Sequence, residues 1–153
     1  MDQKYNPASN YYIYQDLIAL QKSGDISHLT RNAEAYENDL FITFNLTQNS
    51  LNGIDHSFNL KKYLLRLVRS KEIYTPEIYI DYPIINSKAH HIFQNKKSLC
   101  LFHPDDYKWN EDISIRKEII PWAFMWIYFY EVWLRTGEWL GPEHPKSKQI
   151  NLF

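Results

Sequence analysis

In "YYIYQDLIALQKSG" (11–24) the apolar residues Ile13, Leu17 and Leu20 fall at helical spacing. Gly24 follows them as a stop, so the pattern predicts a helix from Tyr11 to Gly24. The next stretch, "ISHLTRNAEAYEND" (26–39), keeps no single period. It either extends the helical region or connects it to a sheet. Strict alternation then begins. In "LFITFNLTQ" Leu40, Ile42, Phe44 and Leu46 share one face, with Thr43, Asn45 and Thr47 on the other. Asn52-Gly53 is a turn signal. "FNLKKYLLRLVRS" predicts a second strand, in which Tyr63, Leu65 and Leu67 alternate with Leu64, Arg66 and Val68. "EIYIDYP" predicts a third, with Ile78, Ile80 and Tyr82 on one side and Pro83 ending it. Strands this close in sequence favour an antiparallel meander over crossovers.

The pattern changes again in "PWAFMWIYFYEVWLRTGEW" (121–139). Pro121 suits a first helical turn and Gly137 a stop. Trp122, Trp126, Phe129, Tyr130 and Trp133 form one broad helical face, widened by Met125, Val132 and Leu134. A helix apolar nearly all round is buried in protein or in a membrane. Glu131 and Arg135 lie inside it, against roughly 20 apolar residues for a spanning helix, which favours a core helix on the sheet. From Gly141 to Phe153 there are prolines, lysines and no periodicity, so a loose tail is expected over 142–153. The fold class is therefore α+β: an antiparallel β-meander flanked by an N-terminal helix and a Trp-rich C-terminal helix. One domain is expected over 1–153, with its core at about 11–141, since no repeat or low-complexity tract divides the chain.

Composition narrows the chemistry. The 153 residues carry a formal net charge of −1, so no strong field draws nucleic acid or anionic lipid. "MDQKYNPASNYY" has none of the features of a signal peptide, and a reduced, cytoplasmic protein is expected. The single cysteine, Cys100, rules out an intrachain disulfide and any zinc site needing two cysteines from this chain. No Gly-rich phosphate loop is present; the four glycines stand at 24, 53, 137 and 141. No cofactor is called for.

Cys100 lies in "HHIFQNKKSLCLFHPDDYKW" (90–109), where alternation gives way to a polar turn. A lone cysteine between leucines is ordinarily a small buried apolar residue. A nucleophilic cysteine needs access and partial ionisation, and His90, His91 or His103 standing close and charged would favour the thiolate. Asp105 or Asp106 would orient an attacking group or accept its proton, or simply cap a turn. His90, His91, Cys100 and His103 also make a Cys/His cluster of ligand-like spacing. Neighbouring histidines on a strand face opposite ways, which disfavours one shared ion. The tryptophans read as core.

Around Cys100 the sequence resembles the ubiquitin-conjugating (UBC) fold. In that fold the histidine of a His-Pro-Asn triplet precedes the catalytic cysteine by ten residues and leucine follows it; here His90 precedes Cys100 by ten and Leu101 follows. The chain is more similar to the bacterial UBC-like proteins of antiphage CBASS operons. It has "LCLFHP", Trp109, "IIPW" at 119–122, "YEVWL" at 130–134 and "TGEW" at 136–139. The match spans roughly 88–141; residues 1–87 agree only in their order of elements. It departs from the triplet at His91 and Ile92, which stand where proline and asparagine would, so the asparagine's role in stabilising the oxyanion does not carry over to Ile92. The resemblance implies a cysteine acyltransferase with Cys100 as thioester carrier and His90, His103 and Asp105 as candidate assistants. It implies as donor the C-terminal tail of a cGAS-like nucleotidyltransferase, or a ubiquitin-like protein, and as acceptor a lysine on a protein target. With no room for an adenylating domain, the acyl group is expected to arrive already activated or by exchange from an existing bond. The alternatives are a non-catalytic UBC-like module that grips a protein tail, and a thiol hydrolase with a Cys-His pair, for which no orienting group is evident.

Overall fold

The structure, a computed structural model, describes residues 5–31, 39–103, 105 and 107–142. The expected tail beyond 142 and Asp106 lie outside these residues.

Helix α1 (Ser9–Lys22) buries Ile13, Leu17 and Leu20, the stripe read from the sequence. It begins at Ser9 rather than Tyr11. Gly24, at φ +85°, makes the left-handed turn that lets the Asp25 N–H reach back to the Leu20 carbonyl at 2.9 Å.

Four strands follow in the order β1 (Ile26–Arg31), β2 (Leu40–Leu46), β3 (Leu64–Arg69) and β4 (Glu77–Tyr82), all antiparallel to their neighbours. The ambiguous stretch after α1 thus opens as a strand. The meander has one strand more than the three expected. Leu40, Ile42, Phe44 and Leu46 of β2 are buried, facing Leu65 and Leu67 of β3 and Ile78 of β4 on the same side. The expected second strand is shorter than its apolar run: Leu60–Lys62 form a 3-10 turn, and Tyr63 enters the core just before β3. Tyr82 is exposed, not packed with Ile78 and Ile80, because the β3–β4 register shifts between Leu64 and Leu65. β4 ends there, at the cis Tyr82–Pro83 bond.

Alternation also carries Arg69 to the inner face of β3, where it is fully buried. A guanidinium there needs partners. It donates to Asn10 Oδ1 at 2.7 Å and to the Tyr74 carbonyl at 2.8 Å. It also lies 3.1 Å from the Glu111 carboxylate and 5.1 Å from the Trp109 ring. This hub ties α1, the sheet and the segment leading to the last helix together.

Helix α2 (Ile119–Thr136) places Ile119, Ile120, Ala123, Phe124, Trp126, Ile127 and Tyr130 in the same core as the sheet and α1. It starts before Pro121 and stops where expected, at Gly137 with φ +79°. Trp133 is half-buried at the margin, whereas Trp126 is inside. Glu131 is buried yet ionisable. It accepts the Tyr63 hydroxyl and pairs with Lys62 at 2.9 Å, fixing α2 to the start of β3. No helix among the described residues is long and apolar enough to cross a membrane.

Candidate functional site

Past β4 the chain folds into a small hairpin that explains the ten-residue spacing. Ile92 pairs with Leu99 in an antiparallel bridge. The Phe93 N–H donates to Ser98 C=O at 3.0 Å, and the Cys100 N–H to His91 C=O at 2.8 Å. Lys97, at φ +67°, turns the tip, and its N–H donates to Phe93 C=O at 2.7 Å. On the other side the Leu99 N–H donates to Ile78 C=O of β4 at 2.9 Å, which ties the hairpin to the edge of the sheet. Cys100 therefore closes the hairpin opposite His91, at the point where strand gives way to loop.

His91 stands at φ +58°, a region that costs a non-glycine residue about 1 kcal/mol or more. Its backbone is held from both sides. The preceding carbonyl, of His90, accepts the Trp126 indole N–H at 3.1 Å, and its own carbonyl accepts the Cys100 N–H.

The Cys100 thiol is half-buried, and its Sγ lies 3.5 Å from the Phe102 carbonyl. Burial pushes the thiol pKa up; the Phe102 backbone and the Lys96 charge offset this only in part. Lys96 is itself engaged with Glu77 and lies over the Phe93 ring at 4.8 Å. At neutral pH the resting group is a thiol rather than a thiolate. The loop beyond is pinned by rings: Phe102, Tyr107 and Trp122 contact one another at 4.7 to 6.0 Å. Burial, then the Glu118 carboxylate, pushes the Tyr107 hydroxyl well above the usual phenol range.

The candidate assistants are placed differently from one another. The His90 ring lies flat on Trp139, 5.2 Å between centroids and 2° between planes, and edge-on to Trp133. Its link to Cys100 runs through the backbone of His91. His103 Nδ1 accepts the Asp105 N–H at 3.1 Å, which puts the neutral ring's proton on Nε2. The Asp105 carboxylate, 3.6 Å from that nitrogen, is 87% exposed. His103 and Asp105 thus form a turn of their own just after the cysteine. Among the described residues no three His, Cys, Asp or Glu side chains gather as a metal site. The Phe102 carbonyl, Lys96 and the Trp126 and Trp139 indoles were not named as site residues from sequence. Only "TGEW" hinted at the last.

Ile92 faces away from this chemistry. With Ile80, Ile84, Ile85 and Leu99 it lines the apolar part of a cavity of about 310 Å3, whose remaining wall is polar and includes Asp81, Gln94 and Lys97.

A half-buried thiol at the mouth of a pinned hairpin can take up and release an acyl group, provided a partner removes its proton. Comparison with curated proteins gives no match. A family model described as "Type II CBASS E2 protein" matches residues 33–147, about three quarters of the chain, including the whole hairpin and α2. The chain belongs to the Type II CBASS E2 family.

Proposed function

We propose that, in CBASS antiphage defence, Cys100 carries an acyl group as a thioester and hands it to an amine. The donor in this reading is the C-terminal carboxyl of a cGAS-like nucleotidyltransferase, presented as the thioester or adenylate of an activating partner. Cys100 loses its proton and Sγ attacks the donor carbonyl. The sulfur–carbon bond forms as the bond to the partner's thiol or AMP breaks. A lysine amine of the target then attacks the same carbonyl. The carbon–nitrogen bond forms, the carbon–sulfur bond breaks, and Sγ regains a proton. The observation that carries the reading is the position of Cys100: half-exposed, and fixed by backbone bonds at a strand end. His103 and Asp105, in the turn that follows, are the groups closest in sequence to receive or orient a proton on the acceptor side.

The test is reconstitution with the nucleotidyltransferase and its activating partner, run on gels with and without thiol. A thiol-sensitive adduct, absent from Cys100→Ala, is expected. Adducts that persist in Cys100→Ala refute the thioester.

A second reading has an observation of its own. The side chain at 92 is an apolar one lining a cavity, and the thiol pKa is raised rather than lowered. Both suit a module that grips a protein tail without chemistry. A stable complex with no adduct under any condition would favour it.

A further inference from the structure

We infer that Trp139, on the turn that follows α2, is a positioning residue for Cys100, clamping the His90–His91 end of the hairpin that the cysteine closes. Only its consequence for acyl transfer rests on the reading above; the clamp itself is a statement about the thiol's surroundings.

The strap is built locally. Gly137 ends α2 in a left-handed turn, and the Glu138 N–H donates to Thr136 Oγ1 at 3.1 Å. This returns the chain across the helix and lays Trp139 on the His90 ring, parallel within 2°. The same indole lies 5.6 Å from the His91 ring and 5.6 Å from Trp126. Behind it Gly141 admits no side chain. A Cβ there would stand 2.6 and 2.8 Å from carbons of the Phe129 ring and 3.0 Å from Trp139 Nε1. The Gly141 backbone thus packs between the Phe129 ring and the Nε1 edge of the indole. The Trp139 N–H is buried and finds no hydrogen-bond partner among the described residues. A buried indole normally does find one. The ring is therefore placed by its ring contacts, of which the one parallel stack is with His90.

From His90 the connection to the sulfur is short. Its carbonyl is held by Trp126, the strained His91 backbone follows, and the His91 carbonyl receives the Cys100 N–H. Releasing His90 frees the strand opposite Cys100 and opens the thiol to water. Burial is the main influence on the sulfur's ionisation, and the two groups that offset it, the Phe102 backbone and the Lys96 ammonium, do not sit on the strap.

The experiment uses the full chain and iodoacetamide, which reports on Cys100 alone because the chain has no other thiol. Alkylation rates are measured across pH under native conditions for the parent, Trp139→Ala, Trp139→Phe, His90→Ala and His90→Phe. Each variant's thermal midpoint establishes that it is folded. Among folded variants, the alanine ones are expected to react several-fold faster at neutral pH, with the pH–rate curve moved to lower pH. The phenylalanine variants, which keep a flat ring on each side of the stack, are expected to return towards the parent. If Trp139→Ala does not fold, His90→Ala carries the test. A parental curve in a folded alanine variant overturns the clamp, and so does a phenylalanine variant as fast as its alanine counterpart. Adduct formation with the nucleotidyltransferase and its activating partner is scored separately. A shifted alkylation curve, with no adduct even in the parent, leaves the clamp standing and removes the acyl-carrier reading. A parental adduct with unmoved curves does the reverse.

Discussion

Replacing Trp126 separates two contributions that the structure assigns to one side chain. The ring is only 3% exposed and stacks on Tyr130 at 5.1 Å with 14° between planes. Its N–H holds the His90 carbonyl at 3.1 Å. Trp126→Ala removes both, and a buried large aromatic costs about 3–5 kcal/mol when truncated. Trp126→Phe keeps most of the ring and loses the hydrogen bond, whose net worth is about 1 kcal/mol. For a chain of this size each kcal/mol moves the thermal midpoint by roughly 2–4 °C, so the alanine variant should melt about 6–20 °C lower and the phenylalanine variant only a few degrees lower. Urea unfolding followed by circular dichroism gives the two free energies directly. A loss below about 1 kcal/mol in Trp126→Ala would mean that the ring does not fill the core. Equal losses in both variants would mean that the bond to His90, not the packing, holds this end of α2.

The cysteine itself should be dispensable for folding. Cys100→Ala is expected to change stability by less than about 1 kcal/mol in urea melts while ending adduct formation, since the site is half-buried at a strand end. Cys100→Ser is expected to convert a thiol-sensitive adduct into a thiol-resistant oxygen ester; a serine adduct as labile as the parental one would contradict acyl transfer. Because burial raises the thiol pKa in the folded state, alkylation of the native chain should rise with pH to the alkaline side of a free peptide of the same local sequence; coincident curves would remove the burial argument. The linkage sign agrees. Above the ordinary thiol pKa the unfolded chain binds fewer protons than the folded one, so stability falls as pH rises towards the folded-state value. Buried Tyr63 and half-buried Tyr107, also raised, extend the loss above pH of about 10, the usual phenol value. Removing a few C-terminal residues from the nucleotidyltransferase should abolish the Cys100 adduct and leave nucleotide synthesis unchanged; an undiminished adduct would exclude the tail as donor.

What the chain revealed in sequence follows from how much of each element is buried on one side. β2 and α1 were legible because every second residue, or every third and fourth, meets the core. β1 was not, because of its residues only Ile26 is fully buried; Leu29 is half-buried, His28, Thr30 and Arg31 are exposed on a sheet edge, and His28 at φ +54° sits where the register shifts. Polar residues inside the fold escape a reading by hydropathy altogether. Arg69 and Glu131 lie on core faces only because distant partners satisfy them: Asn10 and Glu111 for one, Tyr63 and Lys62 for the other.

The same reasoning separates the two halves of the candidate site. Cys100 stood out because chemistry singles out a lone thiol, and its distance from His90 is fixed by a hairpin wholly local in sequence. That hairpin is one bridge long, too short to leave a period. His90 was named for chemistry, yet its ring stacks on Trp139, far along the chain. Spacing identifies a position in a turn; it does not identify what the side chain at that position touches. If the clamp holds, the histidine and the tryptophan of "TGEW" are two halves of one packing device, and a substitution on either side should be felt first at the sulfur.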